Sequence, residues 1–77
     1  MNDIKTVNVK SRMIKSIGYS ESESVLIVEF KKGFNIYHYY DVPKNIYDDL
    51  IKADSVGKYF LDHVKNKYEC NKVSVEL

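Results

Sequence analysis

Several things that would fix a function are scarce or missing in this chain of 77 residues. Cys70 is its only cysteine, so no internal disulfide can form. Cys70, His38 and His63 together cannot supply a regularly spaced four-ligand zinc set, and no metal or cofactor is expected. Arginine is almost absent: Arg12 stands alone among twelve basic residues, the rest being lysine. Arginine is the usual bidentate reader of phosphate, so this bias argues against strong phosphate recognition. No stretch carries charge of one sign, and the net charge is +1. A basic stripe, the ordinary electrostatic footprint of a nucleic-acid-binding domain, is therefore lacking. The longest aliphatic run, Val25-Leu26-Ile27-Val28, is far too short to cross a membrane. The first residues lack the apolar core of a signal peptide, which together with a lone free cysteine predicts a cytoplasmic location.

What is present is a folding composition. The hydrophobic fraction is 44%, and seven tyrosines with three phenylalanines give an aromatic core, which excludes disorder. A chain this small buries only roughly 60–65% of the surface its unfolded form exposes. Without disulfide or metal, its stability must come from good packing or self-association.

The pattern along the chain predicts one α+β domain over residues 1–77. Ile14 to Tyr19 reads as a short strand, and Ser20-Glu21-Ser22-Glu23-Ser24 as a turn. Val25 to Phe30 is a strand by β-branched content, and Phe34 to Tyr40 is its aromatic return strand. Between them, Lys31-Lys32-Gly33 suits a hairpin turn in which Gly33 takes a positive φ. Pro43 ends the sheet and can open a helix with the apolar stripe Ile46, Tyr47, Leu50 and Ile51; Asp48 and Lys52 are spaced to pair on its outer side. A second helix, capped by Asp54 or Ser55, carries the stripe Val56, Tyr59, Phe60, His63 and Val64 and should end near Lys65-Asn66-Lys67. The alternation Lys72 to Leu77, and Val7 with Val9, suggest a further short strand at each end. The expected architecture is an antiparallel β-meander of three or more strands, followed by an αα unit packed on one face.

These elements, in this order, resemble the KTSC domain, over about Ser11 to Tyr68. The anchors are Ser11-Arg12-Met13-Ile14, Ile17-Gly18-Tyr19, the Tyr-x-Tyr of Tyr37-His38-Tyr39, and Tyr40-Asp41-Val42-Pro43. Tyr47, Leu50, Ser55-Val56-Gly57-Lys58-Tyr59-Phe60, His63 and Tyr68 complete the match. The family is named for an appendage at the carboxyl end of some lysyl-tRNA synthetases and also occurs as small free-standing bacterial and phage proteins. The resemblance implies no established activity; its attachment to synthetases has suggested RNA binding. Between Phe30 and Tyr37 this chain carries one residue more than the family pattern, which must become a longer loop or a bulge.

That extra residue bears on the one unusual feature, the strand Tyr37-His38-Tyr39-Tyr40. With a three-residue hairpin loop, Tyr37 and Tyr39 share the outer face with Val25 and Ile27 and form an exposed stacking platform for unpaired bases. With a four-residue loop they join Leu26 and Val28 in the core, and buried aromatics on a central strand are the more ordinary outcome. Ser55, Gly57 and Lys58 form a second candidate: a helix start with free N–H groups, a hydroxyl and an ammonium can hold an anion, although a plain cap with a closely packed glycine is the commoner meaning. No catalytic residue is assigned. His38 and His63 are the only acid–base candidates, no nucleophile is spaced to join them, and Glu69 beside Cys70 disfavours a thiolate.

The sequence thus points to a non-catalytic binding module, monomeric or homodimeric and without a membrane partner. It would contact single-stranded RNA or an RNA-containing complex through Tyr37, Tyr39, Ser55, Gly57 and Lys58. The alternative is a protein-interaction module, an accessory or inhibitor of a host protein, using the flat sheet face or an edge strand.

Overall fold

The computed structural model describes residues 6–73. Five antiparallel strands lie in chain order across one sheet: β1 (Thr6–Asn8), β2 (Ile14–Ser20), β3 (Val25–Phe30), β4 (Ile36–Tyr39) and β5 (Cys70–Lys72). Helices α1 (Lys44–Lys52) and α2 (Val56–His63) sit between β4 and β5 in sequence and cover one face. The fold is α+β, a meander with two helices on it.

Three local choices set which residues face the helices. The first is in β2, where the pairing slips between Ile14 and Ser16. A bulge at Lys15 lets Ile14 and Ile17, three residues apart, both point into the core with no exposed surface. The second is the β3–β4 connection. Phe30 N–H donates to Asn35 O at 2.8 Å, so four residues, Lys31–Phe34, make the loop. Gly33 takes φ 77° within a short 3₁₀ turn, where a side chain would be strained. The four-residue register sets Tyr39 opposite Leu26 and Tyr37 opposite Val28, on the helix side. The three-residue register, with its exposed outer platform, is not adopted.

The third choice is how α1 is held. Pro43 precedes the helix in extended conformation, and Ile46 N–H returns to its carbonyl at 3.0 Å. Ser24 and Asp41 both adopt left-handed backbone, and Val42 N–H donates to Ser24 O at 2.9 Å, tying the helix entry to the β2–β3 turn. Lys44 and Glu21 pair at 3.1 Å across the same junction, a contact that raises the Lys44 pKa. Asp48 and Lys52 do not form the expected pair; Lys15 and Glu29 pair at 3.9 Å.

The core lies between sheet and helices, and Leu26, Val28, Val42, Leu50, Phe60 and Val64 are all at most 2% exposed. The predicted stripes of both helices hold, except that His63 is exposed and lies against the Tyr59 ring, centroids 4.3 Å apart. Helix α2 stops earlier than expected. Val64 and Lys65 both donate to Phe60 O at 2.9 Å, and Asn66 turns left-handed at φ 66°, a common way for a helix to end. The last strand also comes earlier. Cys70–Lys72 pairs with β4 inside the same chain, and Val73 N–H donates to Ile36 O at 2.6 Å, whereas residues 74–77 of the expected strand lie outside the described residues.

Candidate functional site

The two helices do not cover the sheet to its end. Beyond α2 an open groove of about 1010 Å³ runs between the β3–β4 loop and the segment after α2. Its floor is aromatic because β3, β4 and α2 each turn a ring into it. Phe30 meets Tyr37 and Phe60 edge-to-face at 5.6 and 5.5 Å, and Tyr39 meets Phe60 in the same manner at 5.6 Å. Tyr37 and Tyr39 lie stacked at 6.3 Å, and Tyr68 also lines the groove.

The two tyrosines are not equivalent. Tyr39 is only 5% exposed, and burial first, then the neighbouring Cys70 thiol and Tyr37, push its pKa up to about 12. It belongs to the core and forms the base of the groove. Tyr37 is partly buried, and its ring partners both come from the sheet. No helical ring lies over it.

The rim is basic. Arg12, Lys31, Lys32 and Lys65 line the groove, and no aspartate or glutamate does. None of the four has an ion-pair partner among the described residues. A second depression of about 620 Å³ adjoins the first and shares Arg12, Met13, Lys31 and Leu61 with it. Ser55 and Gly57 line this second depression, together with Lys10, Ser11 and Asp54.

The sequence-derived site residues are therefore distributed as follows. Tyr37 and Tyr39 are in the groove, Ser55 and Gly57 in its neighbour, and Lys58 lines neither. Ser55 Oγ accepts the Lys58 N–H at 3.3 Å, which is an ordinary helix cap. Gly57 has a packing role: a Cβ there would stand 3.3 Å from Ser11 Oγ and 3.5 Å from Met13 Cε. Ser11 Oγ in turn accepts the N–H groups of Met13 and Ile14 at 3.1 and 3.2 Å, so Gly57 lets α2 start against the turn that opens β2.

The rim cations were not singled out from the sequence. They come from three separate segments, and only folding gathers them. Lys31 and Lys32 in a turn beside an aromatic strand were the one signal that could have found them. The structure does not bring the two histidines together: His38 sits opposite Ile27 on the outer sheet face, away from His63 on α2. Among the described residues no three histidine, cysteine or carboxylate groups cluster to hold a metal, and no helix is long and apolar enough to cross a membrane.

Comparison with known proteins gives a consistent picture. The KTSC domain family model matches residues 10–68. A protein of Tsukamurella paurometabola is 37% identical over 60 residues, covering 78% of this chain and 88% of that one. A lysine–tRNA ligase of Nostoc punctiforme is 32% identical over 62 residues, 80% of this chain but 11% of the ligase. The crystal structure of a KTSC domain protein from Yersinia pestis superposes with a TM-score of 0.89 at 29% identity, covering 94% of this chain and all of the other. With the family pattern, the fold and these relatives in agreement, this chain belongs to the KTSC domain family.

Proposed function

We propose that this chain is a small, non-catalytic RNA-binding module whose ligand lies in the aromatic groove. The observation that carries the reading is the combination there: Tyr37 without a helical ring over it, beside four cations that have no carboxylate partner and no acidic neighbour in the lining among the described residues. Aromatic rings accept the face of any base, and cations follow the phosphates, so the pair of features suits an unpaired strand. The overall charge of +1 is no obstacle, because binding depends on the local arrangement rather than the sum. Likeness to lysine–tRNA ligases, whose name carries an RNA, supports the same direction. Ser55, the first N–H groups of α2 around Gly57, and Lys58 add a weaker positive end beside the groove.

A protein partner would use the outer sheet face or an edge strand. That face exposes little apolar surface, since Val25 and Ile27 are 7% and 8% exposed. It offers less for a partner to bury than the groove does.

Fluorescence anisotropy with a short labelled single-stranded RNA tests the reading. Affinity should fall as salt rises, by roughly 0.7 powers of salt concentration per phosphate neutralised. Tyr37→Ala should cost about 1–3 kcal/mol of binding, the usual worth of one stacked base. Binding that ignores both salt and Tyr37 would exclude the groove as the site.

A further inference from the structure

On the RNA reading proposed above, the shape of the site also limits how much of a strand it can hold. The groove and the second depression adjoin, and the residues lining both, Arg12, Met13, Lys31 and Leu61, form their shared wall. Aromatic rings line only the groove. Cations line both sides, since Lys10 joins Arg12 and Lys31 in the second depression, where they outnumber the carboxylate of Asp54 three to one. Ser11 lies there too; its oxygen already accepts two backbone N–H groups, which leaves its own proton to donate. A base therefore finds a stacking partner on one side of the wall only. A phosphate finds donors on both.

We infer that the site takes a short single-stranded segment, with one base seated over Tyr37 and the adjoining phosphate held between Arg12 and Lys31 on the shared wall. Surfaces that track long strands cover roughly 4–16 nucleotides with successive aromatic platforms. One platform flanked by one non-aromatic, cationic depression corresponds to about two or three nucleotides on the same reasoning. Bases within a duplex are stacked on each other and cannot present a face to Tyr37, so paired RNA is excluded from this mode.

Competition titrations measure this footprint directly. Adenosine monophosphate and unlabelled oligoadenylates of increasing length displace a labelled single-stranded RNA. Affinity should rise about tenfold or more from the monophosphate to the trinucleotide, then grow only with the number of registers a longer strand offers. Arg12→Gln should weaken the monophosphate and the trinucleotide alike, since both carry the phosphate held there, and should lower the salt slope by about 0.7. Arg12 is exposed, so this variant keeps the fold. A monophosphate that binds as tightly as the trinucleotide overturns the inference in favour of a free-nucleotide site. Affinity that climbs beyond the register count past about eight nucleotides overturns it in favour of a long track. Both results leave RNA or nucleotide binding at the groove standing. Failure of every oligonucleotide to bind removes the RNA reading itself.

Discussion

Tyr19 and Tyr37 face the same side of the same sheet, yet one end of that face is closed and the other open. At the β2 end, Tyr19 stacks on Tyr47 of α1, ring centroids 5.3 Å apart and nearly parallel at 16°. Its hydroxyl donates to Val42 O at 2.5 Å. Ring and hydroxyl are both used within the fold. At the β4 end, the ring contacts of Tyr37 are with the strand residues Phe30 and Tyr39; α2 stops at His63 and the chain turns at Asn66 to return as β5. The cations differ in the same sense. Lys44, beside Tyr19, is paired with Glu21, while the four around Tyr37 have no such partner among the described residues. Identical residue types thus serve structure at one end and remain available at the other, and a helical ring over the strand marks the difference.

The largest expected effect comes from breaking what the two ends share. Phe60 packs on Phe30 and Tyr39 and is 2% exposed. Phe60→Ala should lose about 3–5 kcal/mol of stability in urea denaturation and collapse the groove floor with it. A loss under about 1 kcal/mol would mean that the floor is not part of the core.

A smaller effect distinguishes the buried tyrosine of the groove from its open neighbour. Burial, with Cys70 and Tyr37 adding to it, raises the Tyr39 pKa from 10.0 to about 12. The native state therefore keeps this proton where the unfolded chain has lost it. The associated stability is complete below pH 10 and declines as pH rises from there to about 12. Tyr39→Phe should flatten that decline in denaturation series at rising pH. An unchanged slope would place the titrating group elsewhere.

The smallest effect sharpens the closed end. Tyr19→Phe keeps the ring stack and removes the bond to Val42 O, costing about 0.5–1.5 kcal/mol. RNA affinity should not change. An affinity loss at Tyr19 as large as at Tyr37 would erase the distinction between the two ends.

Much of the fold was legible in the sequence. The short strand β2 and the β-branched run of β3 were both readable, Pro43 marked the entry to α1, and the 3.6-residue stripes marked both helix faces except at His63. Both hairpin registers were readable from alternation, but the choice between them was not. It depends on a loop of four residues closed by Phe30 N–H and Asn35 O, a difference of one residue that no local preference settles. The carboxyl end of α2 and the position of β5 were also hidden. They follow from the left-handed turn at Asn66 and from pairing with β4, both tertiary outcomes. The candidate site was half visible. Its tyrosines stood out as a cluster, whereas Arg12, Lys31, Lys32 and Lys65 lie in three segments of balanced charge and become a rim only on folding.

The most direct test is nitrogen-15 chemical-shift mapping while a short single-stranded RNA is added at low salt. The largest changes should fall on the amides of Tyr37, Tyr68, Arg12, Lys31 and Lys65, with Tyr19 and Tyr47 still. Changes centred instead on Ile27, His38 and Asn71 of the outer sheet face, or none at all, would contradict the groove as the RNA site.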